Sequence, residues 1–329
     1  MRITHLRGVE LTDPAPERIA GFYEQIWGLT RVGAAGPSVY LRGTGPEYHI
    51  LAIHPGEQAT VRGYRLGLAD RAAVDRAAEE LAARPDTRIV AGPGALEGPG
   101  GGYGLRIADP DGREIELSAE VAPAAAALPG STTSPADVVR ADDVSVAGSV
   151  ATAGGPPIRP AKVSHVVLNS PNAEDYLRLL IEVLGFRVAD ETEHMVFCKC
   201  NLDHHSVAIA RAPHASLNHV AFEVPTVDDV LSGIEHMGAH GFETLWGPGR
   251  HPQGMNAFGY FLAPNGQVVE YTAEVEQIPD GELAPRFWVP EDYEVYDDWV
   301  DISSLRPTPE TRTLMRGVPE VTVHGEWQQ

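Results

Sequence analysis

Cysteine is scarce. Cys198 and Cys200, with one residue between them, are the two in a chain of 329 residues. Residues that close do not form an ordinary disulfide, and no second pair exists to build a zinc site. Both read as reduced residues in a strand. Basic residues are also few: 25 Lys and Arg stand against 46 Asp and Glu, a formal net charge of −21. Such a surface repels phosphates, which argues against nucleic acid and anionic membrane surfaces as partners. Long apolar runs are missing too. No stretch reaches the roughly 20 residues of a membrane span, and no signal-type run follows the opening Met1-Arg2-Ile3-Thr4. A cytoplasmic location is expected. The rest is ordinary, with 43% hydrophobic and 22% charged residues, enough for two domains of usual size.

The chain carries one unit written twice. Gly8-Val9-Glu10-Leu11, then Asp13-Pro14 and a helical stretch over 17–26, reappears as His165-Val166-Val167-Leu168, then Pro171-Asn172 and a helix over 174–183, at a constant offset of 157. His49-Ile50-Leu51-Ala52-Ile53 parallels His205-Ser206-Val207-Ala208-Ile209, and Tyr64-Arg65-Leu66 is set against His219-Val220-Ala221. Asp109-Pro110-Asp111-Gly112 before Glu116 parallels Ala263-Pro264-Asn265-Gly266 before Glu270. Both are hairpin-turn sequences, in which Gly supplies positive φ. Each copy reads as strand, helix and short strands, performed twice. Ala- and Leu-rich residues 71–84 and the stretch 226–239 form the second helix of each copy.

These patterns divide the chain into an N-terminal module (1–120), an Ala/Gly/Pro/Ser/Thr-rich linker (121–160), a second module (161–275) and an acidic tail (276–329). The tail holds Trp288, Trp299 and Trp327, too many large aromatics for free disorder, so part of it is expected to pack back.

Three residues stand at corresponding places on the second copy's strands. His165 and His219 open strands and Glu270 closes one, at spacings of 54 and 51 residues. Two neutral imidazoles and a carboxylate suit iron(II) or manganese(II) and leave coordination positions open. A lone histidine is more often structural, and Glu270 alone would read as a solvated strand end. Its Val268-Val269-Glu270-Tyr271 setting, however, reads as half-buried, where an unpaired carboxylate is costly.

At these residues the second copy resembles the type I extradiol ring-cleavage dioxygenases of the vicinal oxygen chelate superfamily, relatives of catechol and homoprotocatechuate 2,3-dioxygenase. The likeness lies in segments 164–169, 204–209, 217–224 and 249–271, and is weaker in the first copy. It implies an α+β fold in which tandem βαβββ modules form two glyoxalase/vicinal-oxygen-chelate domains. It implies His165, His219 and Glu270 as ligands of iron(II), with manganese(II) as an alternative. It also implies His205, His251 and Tyr260 as catalytic residues acting on a catechol-type diol and O2. Tyr260 and His251 would hold the diol oxygens, and His205 would donate a proton on the oxygen side.

Trp246, Asn256 and His204 are candidate pocket residues. In a strand, His204 and His205 would face opposite ways, and the repeat favours His205. His194, His214, His236 and His240 have no place in the pattern and read as surface residues. The first copy offers Gly8, Tyr64 and Glu116 in place of the ligands, so it is expected to bind no metal. Gly98-Pro99-Gly100-Gly101-Gly102 lacks the Lys-Ser/Thr ending of a phosphate loop. A homo-oligomer is expected. Two other functions compete: a different metal-dependent enzyme of the superfamily, such as an isomerase or glyoxalase-like lyase, and a non-enzymatic small-molecule binder.

Overall fold

The computed structural model describes residues 1–124, 158–289 and 307–320. Residues 125–157 of the expected linker, and Trp299 and Trp327 of the tail, lie outside the described residues. The first module runs β1 (His5–Asp13), α1 (Pro16–Gln25), β2 (Thr30–Ala35), β3 (Ser38–Arg42), β4 (Leu51–Pro55), then β5 (Thr60–Gly67), α2 (Arg71–Ala82), β6 (Arg88–Ala95), β7 (Tyr103–Ala108) and β8 (Glu114–Ala119). Its eight strands lie in the order β2-β3-β4-β1-β5-β8-β7-β6. β1 pairs in parallel with β4, β5 in parallel with β8, and β1 with β5 antiparallel, so two βαβββ halves meet back to back.

The second module repeats this plan with β9 (Lys162–Ser170), α3 (Ala173–Arg178, continued by a wider turn, Leu179–Val183), β10 (Arg187–Thr192), β11 (Met195–Lys199) and β12 (Val207–Arg211). Its other half is β13 (Ser216–Glu223), α4 (Val227–Ala239), β14 (Thr244–Arg250), β15 (Ala257–Leu262) and β16 (Val268–Ala273). Helix α4 starts where the Thr226 side chain and Asp229 cap each other's backbone amides. A short strand from the tail, β17 (Arg286–Trp288), extends the sheet beside β10, and helix α5 (Pro309–Met315) packs against residues of β14, β15 and β16. The tail therefore does return: Trp288 is buried and its Nε1 donates to Asp190 Oδ2 at 2.8 Å.

Side chains alternate across each strand, and the alternation sorts core from site. On β9, Val166 and Leu168 enter the hydrophobic core while His165, Val167 and Asn169 face the other way. On β16, Val269, Tyr271 and Ala273 are core, leaving Val268, Glu270 and Thr272 opposite. One core spans both modules. Trp27, just beyond α1, stacks on Tyr271 at 3.8 Å, and Tyr176 Oη donates to Tyr64 Oη at 3.3 Å.

Three sequence expectations need correction. His236 is not a surface residue: it is buried at the contact between modules, with Nε2 3.0 Å from Ile26 O. His204 and His205 are not on a strand. They precede β12 in an irregular segment, and both rings are buried and meet through their Nδ1 atoms at 3.0 Å. The first-module counterpart of His219 is Gly63, not Tyr64. Gly8 pairs with Arg65 and Glu10 with Gly63, as His165 pairs with Ala221 and Val167 with His219. The bulges fall at equivalent places in both modules; the repeat offset has already dropped from 157 at Gly8 to 156 by Leu51 and Val207, which sets His219 against Gly63, and Tyr64 points into the core.

Candidate metal centre

The two central strands and their parallel neighbour deliver His165, His219 and Glu270 to one spot. Their ligand atoms all lie within 4.8 Å of one another. Nε2 of His165 and Nε2 of His219 are 3.4 Å apart, and Glu270 Oε2 lies 3.3 and 3.2 Å from them. Glu270 is fully buried, yet Oε2 has no hydrogen bond of acceptable geometry. Burial would raise its pKa, but the two imidazoles outweigh this and hold it well below the carboxylate range. Burial pushes the His219 pKa down and keeps the ring neutral. Two imidazoles and an ionised carboxylate oxygen, converging without another partner, fit a divalent metal. Among the described residues no other three His, Cys, Asp or Glu side chains converge in this way.

Supporting side chains surround the trio. Asn256 is buried behind the carboxylate, donating to Glu270 Oε1 at 3.3 Å and Thr272 Oγ1 at 2.8 Å. His219 Nδ1 lies 2.9 Å from Asn218 Oδ1, and His165 Nδ1 lies 3.2 Å from Ser164 Oγ. Such partners orient ligands and raise their basicity. Asn218 and Asn169 were not singled out from the sequence.

His205 lies over His165, ring centroids 4.2 Å apart, and burial followed by the neighbouring imidazoles drives its pKa well below the usual value. His204 meets it through Nδ1 to Nδ1 at 3.0 Å, and His204 Nε2 reaches Asp190 Oδ2 at 3.2 Å. Gly254, at φ +84°, lies against this pair; a Cβ there would sit 3.0 Å from His204 Nδ1. On the opposite wall His251 Nε2 is 2.9 Å from Tyr260 Oη, while Trp246 stacks on Tyr260 at 5.2 Å. Burial lowers the His251 pKa to about 4 and raises that of Tyr260 well above 10, so both are neutral near pH 7. A cavity of about 400 Å³ opens beside His204 and His251, lined also by Arg250, Met255, Arg286 and Trp288.

The first module fills the equivalent space with its own cation. Ala221, small, stands between His165 and Glu270; its counterpart between Gly8 and Glu116 is Arg65. The Arg65 guanidinium takes the volume a side chain at Gly8 would need, with Nη2 2.6 Å from where the Cβ would be. It donates to His49 O at 2.8 Å and lies 3.6 Å from Glu10 Oε1, while Arg106 lies 3.5 Å from Glu116 Oε2.

Residues 162–271 match the sequence profile of the Glyoxalase/Bleomycin resistance protein/Dioxygenase superfamily. A Mn(II)-bound glyoxalase from Novosphingobium aromaticivorans is 31% identical, with a TM-score of 0.78 and 94% of each chain covered. The chain belongs to this superfamily. Metapyrocatechase 2 of Cupriavidus necator is 32% identical over 131 residues, 39% of this chain and 41% of that protein. The chain thus spans about two fifths of the length of the curated relatives it matches. Homoprotocatechuate 2,3-dioxygenase from Brevibacterium fuscum, in its anaerobic complex with 3,4-dihydroxyphenylacetate, shares the fold at a TM-score of 0.75 and 21% identity, covering 95% of this chain and 92% of that one.

Proposed function

We propose that this chain is an extradiol dioxygenase that opens a catechol-like ring with O2, using iron(II) held by His165, His219 and Glu270, with manganese(II) as the alternative ion. The carrying observation is that a three-ligand site is flanked by His205, against His165, and by Tyr260, against His219 and within hydrogen-bond distance of His251. Iron(II) there supplies a Lewis acid and redox partner with positions open to a diol and O2. The ring itself provides the electrons, and both oxygen atoms enter the product, so no external reductant is needed.

The remaining work falls to side chains. Tyr260 Oη and His251 Nε2 hold and orient the diol oxygens. Neutral His205 takes a proton released on diol binding and returns it as the O–O bond breaks, general acid–base work for which His204 and Asp190 provide support. Trp246 walls the ring, and Asn256 serves the Glu270 carboxylate. Here residues 161–275 are the catalytic domain and 1–120 a metal-free companion, joined by 121–160 and followed by the tail 276–329. Names of relatives agree: metapyrocatechase, biphenyl-2,3-diol 1,2-dioxygenase and an iron-dependent extradiol dioxygenase. A cytoplasmic, homo-oligomeric enzyme belongs to the same proposal; the free thiols of Cys198 and Cys200 suit a reducing compartment.

One observation favours a second reading. A relative 31% identical and aligned along 94% of the chain is a Mn(II)-bound glyoxalase. Anaerobic iron loading, followed by a screen of substituted catechols and hydroxypyridines for O2 uptake, separates the two. Uptake matched by ring-opened product supports the dioxygenase. Turnover of a hemithioacetal with manganese and no O2 dependence supports the second reading.

A further inference from the structure

The hydrogen bonds behind His219 run in one direction, and they begin in the C-terminal segment. Met315 O, at the end of α5, is a carbonyl and can only accept. Asn169 Nδ2 donates to it at 2.8 Å and to Ser216 Oγ at 2.8 Å, and the Ser216 hydroxyl donates onward to Arg316 O at 2.6 Å. With its nitrogen committed, Asn169 turns Oδ1 toward Asn218 and accepts from Asn218 Nδ2 at 3.0 Å. The Asn218 amide is now oriented too, so Oδ1 faces His219 Nδ1 at 2.9 Å. An amide oxygen accepts only, so that ring nitrogen must carry the proton. The lone pair is left on Nε2, the atom 3.2 Å from Glu270 Oε2 and 3.4 Å from His165 Nε2.

We infer that the C-terminal segment 307–320 fixes the tautomer of ligand His219, through Asn169 and Asn218 as positioning residues, and so completes the metal site. The inference rests on reading the trio as a metal site. Burial gives the relay its force: Ser216, Asn169 and Asn218 are at most 9% exposed, so water does not compete. The segment is well anchored. Glu320 N donates to Ala215 O at 2.9 Å, Thr311 Oγ1 to Leu245 O at 3.1 Å, and Leu314 and Met315 pack against the Phe258–Tyr260–Val268 cluster. The first module braces the same spot, since Arg113 reaches Glu320 at 2.8 Å and donates to Asn169 O and Ser216 O. His165 lacks such control, because the Ser164 hydroxyl at its Nδ1 can donate or accept.

The test compares full-length wild type with Asn218→Leu, Asn169→Leu and Asn218→Asp. Zinc(II) affinity is measured by competition with a chromophoric chelator, and the His219 tautomer by side-chain 15N NMR. Wild type should show Nδ1–H. Asn218→Leu should mix the tautomers and weaken zinc binding by about 10–100-fold. Asn169→Leu should do the same to a smaller degree, and Asn218→Asp, which keeps the acceptor, should restore both. If Asn218→Leu fails to fold, Asn218→Ala takes its place. Folded Asn218→Leu or Asn218→Ala with wild-type affinity and unchanged Nδ1–H would overturn the relay. Wild type that binds no zinc would overturn the metal reading instead; the 15N signal of the metal-free protein then judges the relay, which an Nε2–H signal refutes.

Discussion

Replacing His205 by Phe should damage chemistry far more than metal binding. The ring is 3% exposed and lies 4.2 Å, centroid to centroid, from that of His165. Phe fills nearly the same volume, so the wall stays packed while both nitrogens disappear. A general acid–base group contributes about 10²–10⁴-fold to rate, which is about 3–5 kcal/mol of barrier. His205 is not among the three ligands, so iron content should stay at the wild-type level. His204→Phe is the matched comparison. It removes the 3.0 Å contact to His205 Nδ1 and leaves that atom without its partner, a loss of about 1–3 kcal/mol or about 5–150-fold in rate. The order should therefore be wild type, then His204→Phe, then His205→Phe, with O2 uptake, ring-opened product and iron measured on each. Full activity in His205→Phe beside a dead His204→Phe would refute the assignment and exchange the two roles.

Two further outcomes follow from the same geometry. His165→Ala, His219→Ala and Glu270→Ala should each lose most bound iron by elemental analysis of folded protein, because a site of three ligands has none to spare, whereas Glu116→Ala in the first module should keep both iron and activity; full iron in a ligand variant overturns the site. Glu10 is raised by burial but lowered further by His54 and Arg65, to about 2 from an ordinary 4.5. A depressed carboxyl stabilises the fold above its unfolded pKa and loses that contribution as pH falls from about 4.5 toward 2, here about 3 kcal/mol. Denaturant melts across that window should be flatter for Glu10→Gln, and an unchanged slope contradicts the ion-pair reading.

Much of this was legible because a repeated unit repeats its hydrogen bonding. The offset between His165 and Gly8 places two βαβββ modules on the chain, while the ligand trio lies inside β9, β13 and β16 rather than at the strand ends the sequence suggested. The departures have physical causes. The sequence pairing of Tyr64 with His219 is wrong by one residue because the two segments share no side-chain pattern to fix their register, and the ladder reveals Gly63 as the counterpart. The expected opposition of His204 and His205 presumed a strand where the backbone is irregular. His236 looks superficial until the second module is packed against Ile26. Asn169 and Asn218 carry no local signal, since the group that orients them, Met315 O, lies 146 residues from Asn169. The contrast of Ala221 with Arg65 emerges only from the ladder, because the sequence pairing set Ala221 against Leu66; it explains why one module leaves room for a metal while the other fills that room with a guanidinium.

The most direct test is a single turnover under 18O2. Protein loaded with iron(II) without oxygen is mixed with a catechol that it binds, then exposed to 18O2, and the product mass is read. A dioxygenase with the roles assigned here gives a ring-opened product carrying both 18O atoms, formed in proportion to iron. A product free of 18O, or turnover that proceeds equally well without O2, would contradict the account.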